Sequence, residues 1–363
     1  MVAESNLAVD NKDRLTLLCL SRIGLRMLTG AEGGDMATRK ELLENVVEQV
    51  TDYREGEIAP MSEAHVDKWV KQFPGATQEP ILAELAHVFG KTYFTRKNVA
   101  DFLSAIVSNQ KITGNDPKKF WKSVKILRIQ TAGNSQKDML GIFEQALQNT
   151  FGLKIADCGA NAPDTFFYID DVLFSGGRIK HDVVKWIKEA APQTGNLAIV
   201  TMAFHSLGQW RTAKDIAEAA KESGKTIKVT WWRVFEVEDR KAYMTNSDVL
   251  RPTVIPADPA TAAYVQGLSL QPVLRTPGQV GGLGFFSCEK GRALLEQQFL
   301  VSGVAVRAQC PNLNTYMRPL GNSMMGTTGF GSMIVTYRNC PNNAPLVLWA
   351  GNPWYPLFSR KTN

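Results

Sequence analysis

The chain has 363 residues, a formal net charge of +6 and an apolar fraction of 44 %, enough for two ordinary soluble domains or one large one. No stretch approaches the roughly 20 apolar residues of a membrane-spanning helix, which argues against a membrane partner. Cys19, Cys158, Cys288, Cys310 and Cys340 are scattered without a CxxC, as expected of reduced thiols in a cytoplasmic setting rather than a disulfide framework.

The opening MVAESNLAVDNKDR lacks the basic and apolar regions of a secretory signal. His65, His87, His181 and His205 never fall at a ligand spacing, which argues against structural zinc. The pI near 9.0 is compatible with nucleic acid, but the lysines and arginines are spread along the chain and read as solvated surface.

From Lys12 to about Lys122 the pattern is helical. Leu42, Leu43, Val46, Val47 and Val50 share one helix face. Ser62 caps a helix carrying Val66, Trp69, Val70 and Phe73, which Pro74 ends. Pro80 is read as opening another, with Leu82, Leu85, Ala86 and Phe89 inward and Gly90 as its stop. Val99, Phe102, Leu103 and Ile106 form a further stripe. These stripes are core positions, and no catalytic constellation stands among them.

After Trp121 the rhythm changes to strand, loop and helix. Val124–Gln130 reads as a strand and Thr131–Gln136 as a turn. The following helix presents Met139, Leu140, Phe143, Ala146, Leu147 and Phe151, and Gly152 closes it. A second unit starts at Thr165–Arg178, TFFYIDDVLFSGGR. Its aromatic run fits a strand buried on both faces. Asp170 and Asp171 at its end are costly to bury unless something binds them. The Ser175-Gly176-Gly177 loop before the next helix allows close backbone approach and offers N–H groups to an anion. That helix carries Val183, Trp186, Ile187 and Ala190.

The third unit reads Leu197–Phe204 as a strand, His205–Gly208 as a loop, and a helix with Ala213, Ile216, Ala217 and Ala220 ending at Gly224. Thr226–Trp232 is a fourth strand. Such alternation predicts an α/β fold with an open, mainly parallel, doubly wound sheet. In these sheets ligands bind beyond the carboxyl ends of the strands. Gly133–Gln136, Asp170–Arg178 and His205–Gln209 all fall there. Domains are expected at 1–122 (helical), 123–245 (α/β core) and 246–363 (an irregular β-containing extension).

Tyr168-Ile169-Asp170-Asp171-Val172-Leu173-Phe174-Ser175-Gly176-Gly177 resembles the phosphoribosyl-diphosphate (PRPP) motif of type I phosphoribosyltransferases: an apolar strand, two acids, apolar residues and a Thr/Ser-Gly-Gly loop. The resemblance covers roughly Val124–Trp232. It implies that Asp170 and Asp171 face the ribose hydroxyls and the magnesium environment as catalytic and metal-site residues. It implies that Ser175, Gly176, Gly177 and Arg178 cradle the 5′-phosphate. Gly133, Asn134, Ser135 and Gln136 would belong to the loop that holds the diphosphate.

Two departures stand out. Type I enzymes usually carry a long hairpin lid before the PRPP strand, where only Lys154–Asp164 fills the interval here, and Phe174-Ser175 stands where Thr is common. The whole pattern more closely resembles the phosphoribosyltransferase-like proteins of bacterial conflict (retron-type antiphage) systems. That implies a defence effector working with protein partners, and with nucleic acid through a partner.

Beyond Trp232 the alternation decays. Asp248–Pro259 reads as a connecting strand and loop, Lys290–Phe299 as a short helix, and Phe330–Tyr337 and Leu346–Trp349 as strands. Arg318, Arg338, Asn342 and Asn343 either contact a ligand or partner or satisfy their own turns. Trp349, Trp354, Tyr355 and Phe358 either stack on a nucleobase or pack this segment. Three functions stay open: a PRPP- or nucleotide-handling phosphoribosyltransferase, a non-catalytic regulator that uses the pocket as a sensor, and a basic nucleic-acid scaffold.

Overall fold

The computed structural model describes residues 37–131, 133–160, 162–310, 313–325 and 327–361. The helical expectation between Lys12 and Met36 lies outside them, as does Cys19. The chain begins with α1 (Arg39–Gln49), α2 (Glu63–Val70), α3 (Gly75–Thr92), β1 (Tyr93–Phe94), α4 (Arg96–Ser108), α5 (Gln110–Thr113) and α6 (Pro117–Ser123). Next come β2 (Lys125–Ile126), α7 (Ser135–Phe151), β3 (Thr165–Ile169), β4 (Val172–Leu173) and α8 (Gly177–Glu189). β5 (Thr194–Val200), β6 (Ala203–His205), α9 (Ser206–Glu222), β7 (Thr226–Trp232) and β8 (Phe235–Val237) follow. The last third holds α10 (Pro259–Gln266), α11 (Glu289–Gln309), β9 (Val335–Thr336) and α12 (Leu346–Trp349). No helix among the described residues is long and apolar enough to cross a membrane.

The chain divides into two compact units. One is Val99–Glu236; the other joins residues 37–98 to residues 237–361. The N-terminal helices and the C-terminal segment, separate in the sequence reading, therefore share one unit, with borders at 98/99 and 236/237 rather than 122/123 and 245/246.

The first unit is α/β. Its main sheet has the order β2-β3-β5-β7, and every pair is parallel. Strand β3 explains why both faces are covered. Phe166 and Tyr168 enter a core with Ile179, Val183, Trp186 and Ile187 of α8 and Ile216, Ala219 and Ala220 of α9. Phe167 points the other way, its ring 5.0 Å from Trp121, which in turn lies 5.2 Å from Phe143 of α7. Alternate side chains of one strand thus bury against helices on opposite faces. Each buried ring contributes about 1.5–3 kcal/mol.

Several sequence boundaries move. The strand expected over Val124–Gln130 keeps its ladder only at Lys125, Ile126 and the Leu127 N–H, because the Ile129 and Gln130 N–H groups turn to the Gln136 side chain. The strand expected over Leu197–Phe204 is two, β5 and β6. The loop expected at His205–Gly208 is the first turn of α9, since extended His205 feeds straight into the helix as its N-cap. Ala190 and Ala217 are exposed, while Ala219 takes the buried position expected of its neighbour. Gly152 closes α7 in the left-handed conformation, as read.

In the second unit, α1, α2, α3 and α11 share the core with the C-terminal segment from Leu320 to Phe358. Helix α3 starts at Gly75 and runs through both Pro80 and exposed Gly90, because Pro80 forfeits only one backbone bond near the helix start. Helix α11 extends the expected Lys290–Phe299 segment to Gln309. Phe330–Tyr337 pairs only at Val335–Thr336, parallel to β1, and no strand forms over Asp248–Pro259. Leu346–Trp349 is one buried helical turn after Pro345, not a strand.

The C-terminal aromatics pack. Phe358 is fully buried, with its ring 4.8 Å from Tyr53 and 5.4 Å from Phe89. The Trp349 indole N–H donates to the Ala344 carbonyl and that of Trp354 to Val347. Tyr355 bonds His65 and Gln72. Asn343 donates to the Asn322 carbonyl, and Asn322 N–H to that of Asn342, so these bonds tie two loop segments together rather than closing either one's own turn.

A buried charge cluster ties α11 to the loops before it. Glu296 accepts from Arg275 and from Arg292, each at 2.8 Å, with all three side chains at most 1 % exposed. It also accepts from the Arg251 backbone N–H. Removing one partner of a buried ion pair strands the other. Glu296→Gln leaves two buried guanidiniums without their shared carboxylate. It is expected to lower stability by about 3–5 kcal/mol, read as a fall in the urea midpoint.

Candidate functional site

The site lies where strands of the first unit are interrupted together. β3 passes to β4 across Asp170-Asp171, β5 to β6 across Thr201-Met202, and β7 to β8 across Arg233-Val234. Backbone bonds carry the ladder through this break: Asp170 N–H to Val200, Met202 N–H to Asp171, Thr201 N–H to Trp232 and Val234 N–H to Met202. β4, β6 and β8 then form a short second sheet. Two adjacent acids therefore stand at the carboxyl end of the strand that is buried on both faces, where parallel sheets bind ligands.

Asp170 is only 3 % exposed. Its Oδ1 accepts from the Asp171 N–H at 2.9 Å, and its Oδ2 lies 3.4 Å from both the Tyr168 hydroxyl and Gln130 Nε2. The Tyr168 hydroxyl also meets Asp182 Oδ2 of α8 at 3.0 Å. Burial, then the Asp170 and Asp182 charges, push the Tyr168 pKa far up, so the phenol stays a proton donor between two carboxylates. Asp171 is half-buried, and its Oδ1 accepts from the Val172 N–H at 2.7 Å.

Ser175 is exposed, Gly176 buried, and Gly177 and Arg178 exposed at the start of α8. Gly176 is the helix N-cap at φ +80°, with no side chain to occupy the first-turn N–H groups. A Cβ there would overlap Thr212 Oγ1 and lie 2.8 Å from the Gly208 carbonyl oxygen. Gly208 is equally constrained: its own Cβ would overlap the Phe174 carbonyl oxygen. The loop is thus pressed onto the first turn of α9 through two glycines.

On the other side of Asp170, Gly133 (φ +86°), Asn134, Ser135 and Gln136 lead into α7, whose N-cap Asn134 makes no side-chain cap bond. Gly133, Asn134 and Gln136, with Arg128, Gln130, Lys137, Leu140, Gly141 and Glu144, line a cleft of about 460 Å³. Gln136 is 2 % exposed, and its Oε1 accepts from the Ile129 and Gln130 N–H groups. Its Nε2 is buried with no partner among the described residues, a loss of roughly 1–3 kcal/mol unless a ligand or water accepts from it.

The expected residues thus fall into two groups, Gly133–Gln136 and Ser175–Arg178, on loops that follow β2 and β4, with Asp170 and Asp171 at the end of β3. His205 does not join them. It is fully buried beneath the loop, its ring 5.2 Å from Phe174 and its Nδ1 3.3 Å from the Leu173 carbonyl. Cys158 is buried too, and burial pushes its thiol up to about 11, away from nucleophilic use. Sequence reading missed Gln130, Tyr168 as a hydroxyl, Asp182, Thr201 and Arg233. Thr201 and Arg233 take the next register positions beside Asp170 across the break, 1 % and 4 % exposed. A polar residue at the end of each neighbouring strand was the available signal.

A family model, PRTase-CE, matches residues 66–360. The chain belongs to the PRTase-CE family. Among curated proteins and among solved structures no match is found. Family and fold together make this a phosphoribosyltransferase-like protein, and the matched span reaches well beyond the α/β unit into the second.

Burial in this phosphoribosyltransferase-like core has a pH consequence. Desolvation lowers the His205 pKa from 6.5 to about 3. Between those values the unfolded chain binds a proton that the folded chain does not, so stability falls as pH drops from about 6.5 toward 3. The slope from this group reaches up to ~1.4 kcal/mol per pH unit. Urea midpoints between pH 7 and 4.5 should show the decline, and His205→Gln should make it shallower, leaving the part that comes from His87, whose pKa burial lowers to about 4; an unchanged slope would remove His205 as a cause.

Proposed function

We propose that this protein binds PRPP or a nucleotide at the carboxyl edge of its parallel sheet. The observation that carries the reading is the Ser175-Gly176-Gly177 loop. It runs directly from the acidic pair into the N-terminus of a 13-residue helix with no side-chain cap, an arrangement that suits a phosphate. Asp171, with Asp170 behind it, would take the ribose hydroxyls. Ser175, Gly176, Gly177 and Arg178 would hold the 5′-phosphate. Gly133, Asn134, Ser135 and Gln136 would hold the diphosphate, with Arg128 and Lys137 of the adjoining cleft supplying positive charge.

Magnesium would arrive with the diphosphate. No group of three or more His, Cys, Asp or Glu among the described residues forms a metal cage. A cation that keeps its waters and takes one or two carboxylates plus phosphate oxygens still fits Asp170 and Asp171. Bound there, the ion would neutralise charge on the leaving diphosphate. The chain's own work would be positioning and charge stabilisation, which needs no nucleophilic side chain.

Calorimetry with PRPP and MgCl₂, alongside an assay of pyrophosphate release over a panel of bases and nucleotides, tests the reading. Wild type should bind, and Asp170→Asn with Asp171→Asn should weaken binding by tenfold or more, about 1.4 kcal/mol. Neither binding nor release would end it.

A second reading has its own support. Both Asp170 oxygens are occupied inside the protein, and the segment between α7 and β3 carries one 3₁₀ turn, Ile155–Asp157, with no hairpin among its described residues. Those features suit a nucleotide-binding regulator without turnover, for which calorimetry would give tight binding and no product.

We also propose, from the resemblance to conflict-system proteins, that the chain is an effector of a bacterial antiphage system working with protein partners. Expression with its neighbouring genes should restrict phage or slow growth, and the Asp170→Asn, Asp171→Asn double variant should abolish the effect. Persistence of the phenotype in that variant would remove the site from the role.

A further inference from the structure

The two halves of the site are joined by one side chain. Gln130 Oε1 accepts the Gln136 backbone N–H at 3.1 Å, and a backbone N–H can only donate, so the amide's orientation is fixed. Its Nε2 must then face the other way. There it donates to Ser135 Oγ at 2.9 Å and approaches Asp170 Oδ2 at 3.4 Å. Gln136 returns the arrangement by accepting from the Gln130 and Ile129 N–H groups. Two glutamines six residues apart thus clasp the end of the β2 segment to the first turn of α7, and the spare donor of the clasp reaches the acidic pair.

The rest of the surroundings hold Asp170 from behind. The Tyr168 hydroxyl, which also meets Asp182 of α8, lies against its Oδ2, and the Asp171 N–H holds its Oδ1. Gln130 reaches Asp170 from the segment that leads into Gly133–Gln136. A change at Ser135 or Gln136 must move the Gln130 amide, because each of its polar atoms is engaged there. The amide in turn governs one Asp170 oxygen.

We propose that Gln130 is a positioning residue that couples the diphosphate end of the site to the ribose end. Occupation of Ser135 and Gln136 sets the Gln130 amide, which sets the Asp170 carboxylate and, through the Asp171 N–H that Asp170 Oδ1 accepts, the Asp171 that takes the sugar. This inference rests on the sugar-diphosphate reading above. The two ligand fragments then bind with positive coupling, and by linkage each strengthens the other equally.

The test uses the full chain with inorganic pyrophosphate and ribose 5-phosphate as probes in MgCl₂. Calorimetry gives the ribose 5-phosphate Kd with and without saturating pyrophosphate, for wild type, Gln130→Met and Ser135→Ala. Direct repulsion between the two anions is common to all three chains, so comparison among them isolates the clasp. Wild type should show coupling more favourable than either variant by about fivefold or more. Ser135→Ala deletes only a half-buried hydroxyl and decides the matter if Gln130→Met fails to fold. A purely structural role would lower thermal stability and leave the ratio of the two Kd values unchanged, which overturns the proposal. Equal coupling in all chains, or binding of one fragment only, also overturns it while leaving ligand binding intact. Failure of wild type to bind either fragment overturns both this inference and the proposed function.

Discussion

A carboxylate that is 3 % exposed must be hydrogen-bonded or neutralised, because an isolated buried charge is prohibitive. Asp170 sets that constraint for the whole first unit. The Asp171 N–H meets one oxygen, and Tyr168 and Gln130 meet the other. These partners come from the strand itself and from the segment between β2 and α7, while Asp182 of α8 reaches the same place through the Tyr168 hydroxyl. Satisfying one buried group therefore draws two loops and two helices toward the end of one strand. The geometry of the site is a by-product of that solvation problem.

The second constraint is steric. The Ser175-Gly176-Gly177 loop can lie against α9 only because residues 176 and 208 have no side chains. One glycine serves the loop and the other the helix that receives it. This contact aims the N-terminus of α8 past the acidic pair and leaves its first turn without a competing cap. Asp170 is thus held by hydrogen bonds, while the Ser175-Gly176-Gly177 loop is shaped by close packing.

The sheet was legible because β3 reads as Phe-Phe-Tyr-Ile, an aromatic and β-branched run that suits a strand covered on both faces, and because helical stripes separate it from its neighbours. The acids and the glycine loop were legible as a motif. What escaped was long-range polar pairing. Nothing in the local pattern says that Gln136 will replace the β2 ladder at Ile129 and Gln130, or that Tyr168 will use its hydroxyl toward α8. Side-chain amides competing with backbone partners have no periodicity to read. Leu346–Trp349 failed for a related reason: four apolar residues fit a buried strand and a buried helical turn equally well, and Pro345 with tertiary packing selected the turn.

The second unit is assembled from distant parts of the chain. Tyr53 and Arg54 both donate to the Ser359 carbonyl, Trp69 to that of Val347, and His65 meets that of Leu357. The segment after α1 and helix α2 thus carry polar groups whose partners lie about three hundred residues later. Among the described residues the α/β unit, Val99–Glu236, is by contrast continuous in sequence. During synthesis, when residues emerge from the ribosome in order, the α/β unit can close its core while α1 and α2 still await their final contacts. A chain still being made thus holds the residues of its main parallel sheet before it holds all of the second unit, whose described parts lie on both sides of that sheet in sequence.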